Sequence, residues 1–104
     1  MFTKVATLDE LPPGALIEVE LDGEPYALCN VGGQIRALFG TCPHEGGPLG
    51  QGALEGPMIT CPWHCWQFDT VTGICVFGDD LAIETYPVRV EGNDVLVEIL
   101  PAES

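Results

Sequence analysis

A chain of 104 residues suits one domain, 1–104, with a modest core and no room for separate cofactor and substrate domains. Its 46% hydrophobic content excludes disorder, while 13 Gly and 9 Pro favour short strands and tight turns over long helices. Sixteen acidic residues against Lys4, Arg36 and Arg89 leave a formal charge of -13, which repels nucleic-acid phosphates and anionic membrane surfaces and suits a basic protein face.

Residues 1–10 carry no apolar run of the signal-peptide kind, and nothing approaches the roughly 20 apolar residues of a membrane span. A cytoplasmic protein, monomeric in solution, is expected. The only early helical segment, residues 8–11, is stopped by Pro12-Pro13-Gly14. Residues 15–21 then alternate, Ile17, Val19 and Leu21 against Glu18 and Glu20, the period of a strand with one buried face. Asp22-Gly23 turns the chain into a second strand over 25–31, and Gly32-Gly33 into a third over 34–39, a meander.

Residues 40–78 differ in composition. Gly46, Gly47, Pro48, Gly50, Gly52, Gly56, Pro57 and Gly73 crowd together with four of the five cysteines and both histidines, marking an inserted loop-rich subdomain. A turn at Glu55-Gly56-Pro57 joins 52–54 to 58–60, so a hairpin there brings two outer loops together. Beyond it, strands over 81–90 and 95–100 flank the turn 91–94, with Val95, Val97 and Ile99 on one face. The fold class is all-β.

The two loops read Cys42-Pro43-His44 and Cys61-Pro62-Trp63-His64, each offering one thiolate and one imidazole. These are the only histidines in the chain, and both follow a Cys-Pro pair at ligand spacing. Four such ligands suit one tetrahedral zinc ion. They also suit a [2Fe-2S] cluster with both thiolates on one iron and both imidazoles on the other. An odd cysteine count without a regular framework argues against a disulfide scaffold. Cys29 and Cys75 are expected as small core residues, and Cys65, next to His64, as a residue outside the ligand set.

At these residues, and through Gly50-x-Gly52-x-Leu54-Glu55-Gly56, Phe68-Asp69-x-x-Thr72-Gly73 and Thr85-Tyr86-Pro87-Val88, the sequence resembles the Rieske ferredoxins of bacterial ring-hydroxylating dioxygenases and related oxygenases. The resemblance implies the Rieske fold, antiparallel β-sheets with a cluster-binding subdomain at about 40–78. It implies one [2Fe-2S] cluster per chain on Cys42, His44, Cys61 and His64. It also implies an electron carrier, no enzyme by itself, between a flavoprotein ferredoxin reductase and a terminal oxygenase of aromatic hydrocarbon catabolism.

The departures narrow this. Where the high-potential Rieske proteins of respiratory complexes have two disulfide-forming cysteines, this chain has Gly47 and Trp63, and where they have hydroxyl donors to the cluster sulfurs it has Trp66 and Phe68. A potential in the lower Rieske range follows. Cys65 stands where dioxygenase ferredoxins usually have Gly, and His64-Cys65-Trp66-x-Phe68 is similar to ferredoxins of diiron monooxygenase systems. A Rieske-like small subunit of a nitrite reductase is the other reading of the family, and a zinc-stabilised binding module the other reading of the ligands. No nucleophile and base stand apart from the ligand set, and no Gly-rich loop leads into a phosphate-binding helix.

Overall fold

The structure, a computed structural model, describes residues 2–42, 47–62, 66–76 and 82–98. In chain order it comprises β1 (Phe2–Thr7), a 3-10 turn (Leu8–Glu10), β2 (Leu16–Leu21), β3 (Glu24–Val31), β4 (Gln34–Phe39) and a second 3-10 turn (Leu49–Gln51). These are followed by β5 (Ala53–Glu55), β6 (Met58–Thr60), β7 (Gln67–Asp69), β8 (Thr85–Tyr86), β9 (Val88–Glu91) and β10 (Asp94–Glu98). They form three antiparallel sheets, β1-β10-β9, β2-β3-β4-β8 and β5-β6-β7.

The meander forms within one residue of its expected bounds. Asp22 and Gly23 take φ of 54° and 83°, and Gly32 and Gly33 take 61° and 101°, as tight hairpin turns require. The four-stranded sheet is the middle layer. Tyr26 through Asn30 are all buried, because β3 packs on both faces. Ala27 and Cys29 face one apolar cluster, shared with Leu38 of β4 and with the β5-β6-β7 subdomain. Leu28 and Ala37 face the other, shared with Val95 and Val97 of β10.

The expected strand over 81–90 is two strands. Thr85–Tyr86 pairs with β4, whereas Val88–Glu91 pairs with β10, so the chain changes sheets at Pro87. Proline has no N–H to give to a ladder, which ends one pairing and frees the chain to begin another. Asp94 pairs with Glu91, so the last hairpin turns on Gly92-Asn93 alone. Ile99 lies outside the described residues. Two elements add to the expectation: β1, paired with β10, and β7, the third strand of the subdomain sheet.

Asn30 ties the end of β3 to Leu11, just after the first 3-10 turn. Its Nδ2 donates to the Leu11 carbonyl at 2.7 Å and its Oδ1 accepts from Gly33 N–H at 2.7 Å, so the side chain buried at the end of β3 keeps both polar ends satisfied.

Candidate metal centre

Both cysteine loops sit at the tips of antiparallel pairs. The first rises from β4. Leu49 N–H donates to the Gly40 carbonyl at 2.9 Å, Thr41 bridges Pro48, and Cys42 N–H donates to the Gly47 carbonyl at 2.8 Å. The second rises from β6 and β7, whose register Met58↔Asp69, Ile59↔Phe68 and Thr60↔Gln67 leads directly to Cys61 N–H donating to the Trp66 carbonyl at 2.8 Å. Each loop is therefore closed by the same bond, from the cysteine that heads it to the residue five positions on.

Period-2 alternation decides where the thiols go. Leu38 and Cys42 lie on one face of the first arm, Ile59 and Cys61 on one face of the second, and all four are buried members of the same apolar cluster. Cys42 and Cys61 are 1% and 0% exposed, placing two thiols at the top of a dry core. No disulfide joins any two of the four described cysteines, and Gly47 is buried where a bracing cysteine would have stood.

His44 and His64 lie outside the described residues, as do Glu45, Trp63 and Cys65. In the sequence each histidine falls within the span closed by its loop's cysteine bond. Among the described residues no group of three potential metal ligands occurs, so no competing site stands elsewhere in them. Two buried thiols without a disulfide, at the heads of matched loops, fit the sulfur side of an iron–sulfur centre.

Among the described residues, Cys29 and Cys75 are core residues, as expected. Cys29 is fully buried, and burial pushes its thiol up to about 11 despite the Arg36 charge, which acts in the opposite direction. Cys75 is buried and bridges Phe68, and Trp66 is half-buried against the same cluster. Gly52 has a negative φ and is needed for space instead, because a Cβ there would overlap the Thr60 carbonyl just before Cys61.

The chain matches the family model for the Rieske [2Fe-2S] domain over residues 1–87. It belongs to the Rieske family. A [2Fe-2S] cluster is accordingly its cofactor, and its mostly antiparallel β architecture is the Rieske fold. This Rieske chain is 35% identical over 103 residues to the ferredoxin component of biphenyl 2,3-dioxygenase from Rhodococcus jostii, covering 93% of this chain and 92% of that one. The ferredoxin-length chain of a solved complex of reduced oxygenase and oxidised ferredoxin in carbazole 1,9a-dioxygenase superposes with a TM-score of 0.85 at 31% identity, over 92% and 91% of the two chains. A nitrite reductase small subunit from Mycobacterium tuberculosis shares the fold, with a TM-score of 0.86 at 24% identity over 98% and 97%. No described helix is long and apolar enough to cross a membrane.

Proposed function

We propose that this Rieske protein is a one-electron carrier that takes electrons from a flavoprotein reductase and delivers them to the terminal oxygenase of a ring-hydroxylating system. The single observation that carries the reading is the pair of matched loops with buried Cys42 and Cys61 at their heads, on a chain related along almost its whole length to a dioxygenase ferredoxin component.

Cys42 and Cys61 supply the two thiolates and His44 and His64 the two imidazoles. When bound, the cluster supplies reversible one-electron chemistry. The protein's own part is to hold the ligands and exclude water. Ile59, Leu38, Leu49 and Phe68 keep the thiol side dry. The carbonyls of Gly47 and Trp66 satisfy the ligand cysteines' N–H groups and so set the width of each loop. A nitrite reductase small subunit is disfavoured because its resemblance reaches only the fold, whereas the dioxygenase ferredoxin shares 35% of its residues.

The test is an anaerobic reductive titration of the purified red protein, followed by mixing with the oxygenase component of a biphenyl dioxygenase system. Uptake of one electron per chain and reoxidation by the oxygenase are expected. A colourless zinc protein, or a reduced protein that the oxygenase leaves reduced, contradicts the reading.

A further inference from the structure

Among the described residues, a side-chain hydrogen bond ties each ligand arm to the middle sheet. For the first, Gln51 Nε2 donates to Glu18 Oε1 at 2.8 Å, across an exposed contact. The second is built differently. Arg36 on β4 donates from Nη1 to Thr70 Oγ1 at 3.3 Å, and Thr70 Oγ1 donates in turn to the Pro57 carbonyl at 2.7 Å, while Thr70 N–H donates to that same carbonyl at 2.9 Å. Thr70 is 2% exposed, so neither of its polar groups has water as an alternative partner.

The location of this chain of bonds gives it leverage. Pro57 immediately precedes β6, which runs into Cys61, and Thr70 immediately follows β7, which starts after Trp66. Thr70 and Pro57 therefore close the β6–β7 pair at the end opposite the ligand loop, and Arg36 fastens that closed end to the middle sheet. The guanidinium is itself held, since Nη2 donates to Gln34 Oε1 at 2.7 Å. Lys4 and Arg89 play no such part. They pair with Asp94 at 3.2 Å and Glu91 at 3.5 Å on the far sheet. Arg36 is also the single cation between Lys4 and Arg89 in the sequence. It lines a groove together with its strand neighbours Ile35 and Ala37 and with Thr70 and Val71.

We propose that Arg36 is a positioning residue for the cluster: through Thr70 and Pro57 it holds the β6–β7 arm, and with it Cys61, in register with the Cys42 arm. A rigid strand pair transmits a shift at one end to the other, and two arms holding one cluster tolerate little relative movement. The inference rests on the reading that both loops hold one cluster.

The experiment compares Arg36→Gln, Thr70→Val, their double variant and Thr70→Ser as cluster-loaded proteins. The readouts are the rate of bleaching under a ferrous chelator and the electron paramagnetic resonance line of the reduced protein. Arg36→Gln and Thr70→Val are each expected to bleach about fivefold faster, within what loss of one hydrogen bond to a charged group can supply. Both should broaden the resonance, the double variant should add little because the two act in series, and Thr70→Ser should behave as wild type. Gln34→Ala, an exposed change, should act weakly in the same direction. If Arg36→Gln does not fold, Thr70→Val against Thr70→Ser carries the test. A wild-type rate and line shape in Arg36→Gln, fully multiplicative effects in the double variant, or equal behaviour of Thr70→Val and Thr70→Ser overturns the proposal. A wild-type protein without iron and sulfide would instead refute the reading beneath it.

Discussion

Phe68 lies opposite Ile59 in the β6–β7 register, both are without solvent exposure, and both share one apolar cluster with Cys61. The Phe68 ring therefore packs on the thiol side of the site and brings no hydroxyl there. Hydroxyl donors to cluster sulfur stabilise the reduced, more negative state and raise the potential. With neither Phe68 nor Trp66 able to offer an O–H, a midpoint near roughly -150 mV is expected, not one near +300 mV. Trp66→Ser with Phe68→Tyr is expected to raise it by about 60 mV, a tenfold change in a one-electron equilibrium. Protein-film voltammetry of the two forms checks this, and an unchanged midpoint contradicts it.

The five cysteines should divide cleanly by substitution. Cys42→Ser or Cys61→Ser should abolish the visible spectrum, because each removes a thiolate at the head of a loop. Cys29→Ala and Cys75→Ala should keep the spectrum and lose some stability, since both are buried and remove a packed atom. Cys65→Ser should also keep it. Absorption spectra of the purified variants decide each case.

Cys29 provides a pH prediction. Its thiol is raised from 9.0 to about 11 by burial, so folding disfavours its ionised form. The stability this contributes is fully present below pH 9.0 and is lost as pH rises through about 11. Iodoacetamide at pH 8 should leave Cys29 unmodified in the native protein and modify it readily after denaturation, as read by peptide mass spectrometry. Rapid native labelling contradicts the burial.

Gly52→Ala tests the approach of the two strands below the second loop. The new Cβ would overlap the Thr60 carbonyl and meet the Pro62 ring at 3.2 Å. A loss of about 1–3 kcal/mol, the usual cost of overpacking, is expected in denaturant unfolding. The cluster should also be released at lower denaturant concentration, because Thr60 leads directly into Cys61.

The charge of -13 should act on encounter. Lys4 and Arg89 are already paired with carboxylates, and Arg36 is engaged with Thr70 and Gln34, so fixed cations offset little of the field. Electron delivery from a matched reductase should slow markedly between low salt and about 0.5 M, where the Debye length falls to roughly 4 Å. Stopped-flow rates that ignore ionic strength would reduce the acidic surface to a solubility device.

Much of this was legible in the sequence, and what was not has identifiable causes. The meander showed because Ile17, Val19 and Leu21 alternate cleanly and paired turn residues separate the strands. β1 did not, because its register slips between Lys4 and Ala6 and destroys the period of 2. β7 is three residues long with one apolar side chain, too short to carry a pattern. The sheet change at Pro87 was signalled by the proline itself, but an apolar run across it masked the break. The Cys42/His44 and Cys61/His64 pairs were visible as spacing, and the structure places their two cysteines in matched loops. The Arg36–Thr70–Pro57 link was not, because its partners are separated by 34 and 13 residues and nothing local to Arg36 announces them.

The most direct measurement exploits the presence of only two histidines, His44 and His64. The protein is grown with 15N-histidine, reduced, and examined by pulsed electron paramagnetic resonance for hyperfine coupling to nitrogen. Two strongly coupled histidine nitrogens are expected, with one lost in each of His44→Cys and His64→Cys. A reduced cluster with no histidine coupling, or a protein that binds zinc and gives no signal, would contradict ligation by Cys42, His44, Cys61 and His64.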